Sequence, residues 1–308
     1  MSSELRPLVF LLGPTGSGKS AAALGLAAGH DGEIVGCDSQ QVYRGFDIGT
    51  DKPSTGDRVR IPHHLIDIAD PATQFNAADY ASLASEAIAG IVRRGRLPLV
   101  VGGTGLYFRA LEDGLFPGPG RDEALRRRLE EEALSLGLEA LWSRLGAVDP
   151  ASAARIGKRD KIRIIRALEV HVLTGVPLSE HVLRTEGRLA GFRVAKFALL
   201  RPRAELVRRI EERVERMFAS GLVAEVEGLL ARGVPESAPP FRGLGYRSVL
   251  RYLRKDIGLP EAVEETKVET RRYAKRQMTW FRKMRDVRWL APEELEPALA
   301  GWKTRPAD

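Results

Sequence analysis

The sequence predicts an α/β protein: a parallel sheet core, an inserted all-helical domain and a helical C-terminal region. Three observations carry that expectation. Apolar runs at residues 8–12, 33–37, 97–101 and 194–200 have the length and content of buried strands. The first three are each followed by loop residues and a helical pattern, the alternation of a parallel sheet with its functional loops at the strand carboxyl ends. Between the third and fourth runs the character changes. Pro117-Gly118-Pro119-Gly120 breaks the chain, and residues 121–174 then read almost entirely as helix.

Within that stretch the boundaries have chemical causes. Asp149-Pro150 combines a capping acid with proline at a first helical position, where its missing N–H costs nothing. Asp160 caps a second helix, 161–174, which Gly175 and Pro177 close. Long helical patterns return at 204–232 and 259–284. The domains expected are therefore a core of residues 1–115 and 194–308 and an insertion of residues 116–193.

Composition narrows the class. The chain has 308 residues and 48 Lys+Arg against 41 Asp+Glu, a formal charge of +7 that suits a polyanionic partner without identifying one. One cysteine, Cys37, excludes an intramolecular disulfide and a cysteine-rich zinc module, and reads as a small buried strand residue. The run at 8–12 is too short for a secretion signal, and no stretch approaches the roughly 20 apolar residues of a membrane helix. A cytoplasmic protein is expected, without membrane contact and as a monomer.

Gly13-Pro14-Thr15-Gly16-Ser17-Gly18-Lys19-Ser20 satisfies G-x-x-x-x-G-K-[ST], directly after one strand and before a helix. The glycines let backbone N–H groups turn around a phosphate, and the helix presents its positive end to the same anion. Lys19 adds a point charge and the Ser20 hydroxyl is placed to ligate Mg²⁺. The core is thus P-loop NTPase-like, and a small-molecule or nucleoside kinase is the first hypothesis. That hypothesis requires an acid after another apolar strand. The third strand instead runs into Gly102-Gly103-Thr104-Gly105. An acid does follow the second strand: Asp38, in Asp38-Ser39-Gln40-Gln41-Val42-Tyr43. It can hold Mg²⁺ through water, act as a general base or cap a helix. Thr104 can bond a phosphate or an acceptor amine. His63-His64 reads as structural, because adjacent side chains point apart and no Cys or third His is near.

On these residues the chain resembles the bacterial tRNA dimethylallyltransferases, or tRNA isopentenyltransferases, of the IPP transferase family. The matching segments also include Asp47-Ile48-Gly49-Thr50-Asp51-Lys52-Pro53, Pro62-His63-His64-Leu65-Ile66-Asp67, Arg166-Ala167-Leu168-Glu169-Val170, Gly243-Leu244-Gly245-Tyr246-Arg247 and Lys275-Arg276-Gln277-Met278-Thr279-Trp280-Phe281-Arg282. They keep the family order over nearly the whole chain. Gly16, Ser20 and Gln40 depart mildly from the usual family residues.

The resemblance implies transfer of a dimethylallyl group from its diphosphate to the N6 amine of adenosine 37, beside the anticodon of tRNA. It implies a diphosphate site at residues 13–20, Mg²⁺ on Ser20, Asp38 as base, Thr104 as positioning residue and Arg213 gripping the diphosphate, with Arg209 and Arg216 its rivals. It implies tRNA contacts at Asp38, Ser39, Gln40, Gln41 and Thr104, and in the insertion at Arg126, Ile162, Arg163, Ile164, Ile165 and Arg166. Others fall at Arg242, Gly243, Leu244, Gly245, Tyr246, Arg247, Lys275, Arg276, Gln277, Trp280 and Arg282.

The residues themselves suit an RNA partner. Arg163 and Arg166 project from one face of their helix, beside an expected apolar stripe of Ile162, Ile165 and Leu168. Seven Lys/Arg and no acid lie between 271 and 285, interleaved with Tyr273, Trp280 and Phe281, either stacking platforms or core. The alternatives are the kinase and a non-enzymatic, nucleotide-gated RNA-binding module.

Overall fold

The computed structural model describes residues 5–116, 118–185 and 187–304; Pro117, one of the four breaker residues, lies outside them. The chain divides into two compact units, one of residues up to Glu112 and from Leu189 onward, the other Asp113–Arg188.

The first unit is built on six parallel strands: β1 Arg6–Leu12, β2 Gly32–Cys37, β3 His63–His64, β4 Leu97–Gly102, β5 Phe192–Leu199 and β6 Val287–Leu290, in the order β3-β2-β4-β1-β5-β6. The sequence reading lacked β3 and β6. Two residues are too few to read as a run, and β6, Val-Arg-Trp-Leu, is an edge strand with only Leu290 buried. Helices α1 Lys19–Gly29, α2 Thr55–Arg60, α3 Ala77–Arg93 and α4 Gly105–Glu112 alternate with the first strands.

Residues 8–12 are wholly buried because both sheet faces are covered. Val9 and Leu11 pack with Leu26 of α1 and, from the C-terminal end, Leu295 and Leu299. Phe10 points the other way, its ring 5.3 Å from Phe108, which in turn meets Phe281 at 6.1 Å. Strand order then does the functional work. β4 lies between β1 and β2, so the loops leaving Leu12, Cys37 and Gly102 open side by side at one edge.

The second unit holds α5 Glu123–Ser135, α6 Leu138–Val148, α7 Pro150–Arg155, α8 Lys161–Thr174 and α9 Leu178–Leu183. Its caps follow the sequence. The buried Asp149 carboxylate accepts from Ser152 N at 2.9 Å and Ser179 N at 3.0 Å, so it starts two helices, and Gly175 ends α8 at φ 71°. Leu125, Leu129, Leu141, Leu145, Ile164, Ile165 and Leu168 form the core.

That core corrects the expected stripe. Residues three apart on a helix are offset by about 60°, so Ile162 lies about 120° from Leu168 and falls outside the arc that buries Ile164, Ile165 and Leu168. Ile162 is 79% exposed, while the adjacent pair Ile164 and Ile165 is buried. Beside them Glu169, fully buried, accepts from Arg126 Nε and Nη2, both at 2.8 Å, from Arg166 Nη1 at 2.6 Å and from Asp122 N at 2.9 Å.

The first unit is completed by α10 Arg203–Ala219, α11 Leu222–Ala231, α12 Tyr246–Leu253, α13 Leu259–Phe281 and α14 Leu295–Lys303. The stretch 204–232, read as one helix, is two, because Gly221 adopts φ 96° and turns the chain. No described helix is long and apolar enough to cross a membrane.

The first unit has its own buried carboxylate, Glu33. Hydrogen bonds from Arg94 hold its carboxyl at about 2 against the cost of burial, with help from His64. For Glu169, burial acts to raise the value, but the bonds from Arg126, Arg166 and Asp122 outweigh it and the result is again about 2. Folded values below the unfolded value near 4.5 mean that each group stabilises the fold above pH 4.5 and loses that contribution as pH falls toward 2. In denaturant titrations, Glu169→Gln is expected to cost about 3 kcal/mol at pH 7, and its difference from the parent is expected to shrink between pH 4.5 and 2. A difference independent of pH would contradict this assignment.

Candidate active site

A cavity of about 690 Å³ opens at the strand carboxyl ends, lined by Thr15, Lys19, Ser20, Asp38, Arg213 and Tyr273 among others. One wall is the phosphate loop, whose turn is made by glycines at positive φ: Gly13 at 147°, Gly16 at 81° and Gly18 at 93°. Its carbonyls are tied from outside by α10 and by Arg201 just before it. Arg209 Nε donates to Gly16 O at 2.9 Å and Arg201 Nε to Ser17 O at 2.8 Å. Pro14 O is held from within, by Lys19 Nζ at 2.8 Å. Carbonyls held in this way leave the loop shaped for an anion.

Lys19 answers to that setting. Removal from water lowers its ammonium pKa to about 7, and Arg213 pushes in the same direction, while Asp38 and Asp51 oppose the shift. Arg213 reaches the same wall, donating to Thr15 Oγ1 at 3.0 Å and Thr50 O at 3.4 Å. Its rivals take other places: Arg209 is committed to Gly16 O, and Arg216 lines a neighbouring cavity.

Asp38 forms the second wall. Its Oδ1 accepts from Gln40 N at 2.8 Å and Gln41 N at 3.3 Å, so the carboxylate pins its own loop through one oxygen. The capping alternative is thus partly realised, over a turn instead of a helix. Thr104 ties this loop to the end of β4 by accepting from Ser39 N at 3.0 Å. Cys37 is fully buried and its thiol is pushed up by desolvation, as expected of a structural cysteine. His64 bonds to Glu33 and His63 to Ile61 O.

The third wall comes from α13. Gln277 is buried, accepting from Thr15 N at 2.8 Å and donating Nε2 to Gly103 O at 2.9 Å. One amide therefore joins the phosphate loop, the β4 loop and α13. The approach demands glycine, since a Cβ on Gly103 would lie 2.1 Å from Gln277 Nε2.

Several of the expected RNA contacts have partners inside the protein. Gln277 is a clamp inside the protein, and the Trp280 ring packs so closely on Gly105 that a Cβ there would collide with it. Tyr246 is buried, donating to Glu225 at 2.7 Å and accepting from Gly49 N at 3.1 Å. Ile164 and Ile165 offer their side chains to the helical unit's own core, and Arg126 and Arg166 are bound to Glu169. Arg247 pairs with Glu269. Gln40, Gln41, Arg242, Gly243, Leu244 and Arg276 line the cavity, Gly245 turns into α12 at φ 82°, and Arg163, Lys275 and Arg282 are exposed.

No cluster of three or more His, Cys, Asp or Glu capable of holding a metal occurs among the described residues. Mg²⁺ needs none, since it takes one or two protein oxygens and completes its shell from water and phosphate. The Ser20 hydroxyl and the Asp38 carboxylate, both lining this cavity, fit that donor chemistry.

A P-loop-type parallel core whose phosphate loop shares a cavity with a carboxylate from the end of β2, one strand removed, defines an enzyme acting on a phosphorylated substrate. The sequence model for IPP transferase matches residues 41–284, and the chain belongs to that family. It is 52% identical over 289 residues to a tRNA dimethylallyltransferase of Geobacter metallireducens, covering 93% of each chain. A crystal structure of the tRNA isopentenylpyrophosphate transferase of Bacillus halodurans matches with TM-score 0.71 and 38% identity over 96% of both chains. A eukaryotic dimethylallyltransferase, captured acting on tRNA, matches with TM-score 0.79 and 27% identity over 97% of this chain and 76% of its own.

Binding of an anion at Lys19 restores the charge that burial has removed. Above pH 7, pyrophosphate binding is therefore expected to take up protons at Lys19. Calorimetry at pH 8 in buffers of different ionisation enthalpy checks this, with Lys19→Arg, which keeps its charge, expected to show less uptake. Equal uptake in both proteins would place the protonation elsewhere.

Proposed function

We propose that the chain transfers a dimethylallyl group from dimethylallyl diphosphate to the exocyclic N6 amine of the adenosine next to the anticodon, position 37, in tRNAs, giving N6-isopentenyladenosine. The observation that carries this reading is the shared cavity of Lys19, Arg213 and Asp38, combined with a β4 end that lacks a carboxylate. A kinase would use an acid at that position.

The chemistry follows from the placement. The phosphate loop's backbone N–H groups not already bonded within the protein, with Lys19 and Arg213, bind the diphosphate and stabilise the charge it gains as its C–O bond breaks. The amine nitrogen forms the new bond to the prenyl carbon, and the bonding pair departs with the diphosphate. Asp38 accepts the amine proton through the carboxylate oxygen its turn does not use. Mg²⁺ held by Ser20 would further neutralise the leaving group. Thr104 acts on position, because it holds the loop that carries Asp38.

The acceptor base must leave its stack to reach such a cavity, at a cost of a few kcal/mol that contacts to the surrounding RNA offset. Arg163, Arg242, Lys275, Arg276 and Arg282, all exposed, are the cations proposed for those contacts. The setting proposed is a cytoplasmic monomer.

Incubation with unmodified tRNA, Mg²⁺ and labelled dimethylallyl diphosphate is expected to place label on that adenosine; label-free RNA would refute the reading. Asp38→Asn keeps an acceptor for Gln40 N and Gln41 N but cannot take a proton. Its kcat is expected to fall about 10²- to 10⁴-fold with tRNA affinity within about threefold of the parent. Retained turnover would remove Asp38 from the base role.

A further inference from the structure

Arg213 has a third partner besides Thr15 and Thr50. The Asp51 carboxylate lies 3.3 Å from its Nη1, 58% exposed and in the wall of the same cavity. The backbone that presents this carboxylate is fixed. Asp51 sits in the left-handed region at φ 54°, Gln41 Nε2 donates to Thr50 O at 3.0 Å and Asp51 O at 3.1 Å, and Asp51 N donates to Ile48 O at 3.1 Å. The next residue, Lys52, is anchored with its ammonium buried, on Tyr43 O at 2.7 Å, Asp47 at 2.7 Å and Asp67 at 2.5 Å. A non-glycine residue held at positive φ by this many bonds is a specified feature of the cavity.

We propose that Asp51 is a placeholder anion: it holds the Arg213 guanidinium in position and is displaced from it by the incoming diphosphate, so that its charge sets how strongly, and how selectively, the cavity takes phosphate chains. The proposal rests on reading the cavity as a diphosphate site. Three physical points carry it. An ion pair this exposed is weak and readily exchanged for a better one. The arginine fork matches phosphate oxygens as well as carboxylate, so the exchange keeps its geometry. Finally, a carboxylate left inside the cavity after the exchange repels each further negative charge on the ligand. It therefore acts more strongly against a triphosphate chain than a diphosphate. Asp51 also faces Lys19, whose ammonium it favours, so the exchange shifts charge across the whole phosphate end of the cavity. Specificity of this kind would help explain a nucleotide-type loop that serves a shorter anion.

The test uses Asp51→Asn and Asp51→Gly, both compatible with the left-handed backbone, and measures binding of inorganic pyrophosphate and tripolyphosphate by calorimetry. Each substitution is expected to tighten pyrophosphate about three- to tenfold, the range of one exposed ion pair, and tripolyphosphate by a larger factor. The KM for dimethylallyl diphosphate is expected to fall in parallel. Unchanged or weaker pyrophosphate binding in both variants would overturn the proposal, as would equal gains for the two anions. Failure of the parent protein to bind pyrophosphate at all would instead overturn the diphosphate reading itself.

Discussion

The side-chain amide of Gln277 is the constraint on which the site depends. Its oxygen takes the Thr15 N–H and its nitrogen the Gly103 carbonyl, and the amide itself is buried. Without it, a buried donor and a buried acceptor would be stranded in two adjacent strand-end loops, at about 1–3 kcal/mol each. The consequence is more than stability. The amide couples the phosphate loop to a helix more than 250 residues away in sequence, so the outer basic face of α13 and the anion-binding wall share one rigid support. Thr104 repeats the device on the other side by holding Ser39, and with it the loop of Asp38.

Electrostatics in the cavity are balanced by opposition. Burial and then Arg213 disfavour the charge of Lys19, and Asp38 and Asp51 restore part of it. Such a site is poorly satisfied without a ligand, and an arriving anion relieves it. The same groups in a dispersed arrangement would be solvated and indifferent. This difference separates a phosphate loop that binds from a glycine-rich turn, and the surrounding carboxylates decide which phosphate chain it accepts.

Much of this was legible in the sequence, for identifiable reasons. The loop at 13–20, the strand-end acid Asp38 and the caps at Asp149 and Asp160 are local: motif, neighbour and consequence fall within a few residues. What was not legible depends on tertiary partners. Gln277 reads as one more polar residue of a basic helix, although Thr270, Ala274, Gln277 and Phe281 are spaced as a buried stripe that assigns it to the inner face. Ile162 was misplaced because a spacing of three imitates a stripe over short lengths. Arg126, Arg166 and Arg247 read as free cations because their carboxylate partners cannot be assigned from sequence. Asp51 lies within a matched segment, yet only the structure brings it to Arg213.

The pairing of Arg126 and Arg166 with Glu169 bears on how the protein would respond to its ionic surroundings. Association with RNA weakens with added salt in proportion to the phosphates neutralised, since each releases condensed counterions. A guanidinium already bound to a buried carboxylate contributes little to that release. The count of basic residues in the matched segments therefore overstates the ionic-strength sensitivity of the encounter. Discrimination among RNAs would rest correspondingly more on shape and on the flipped base than on bulk attraction.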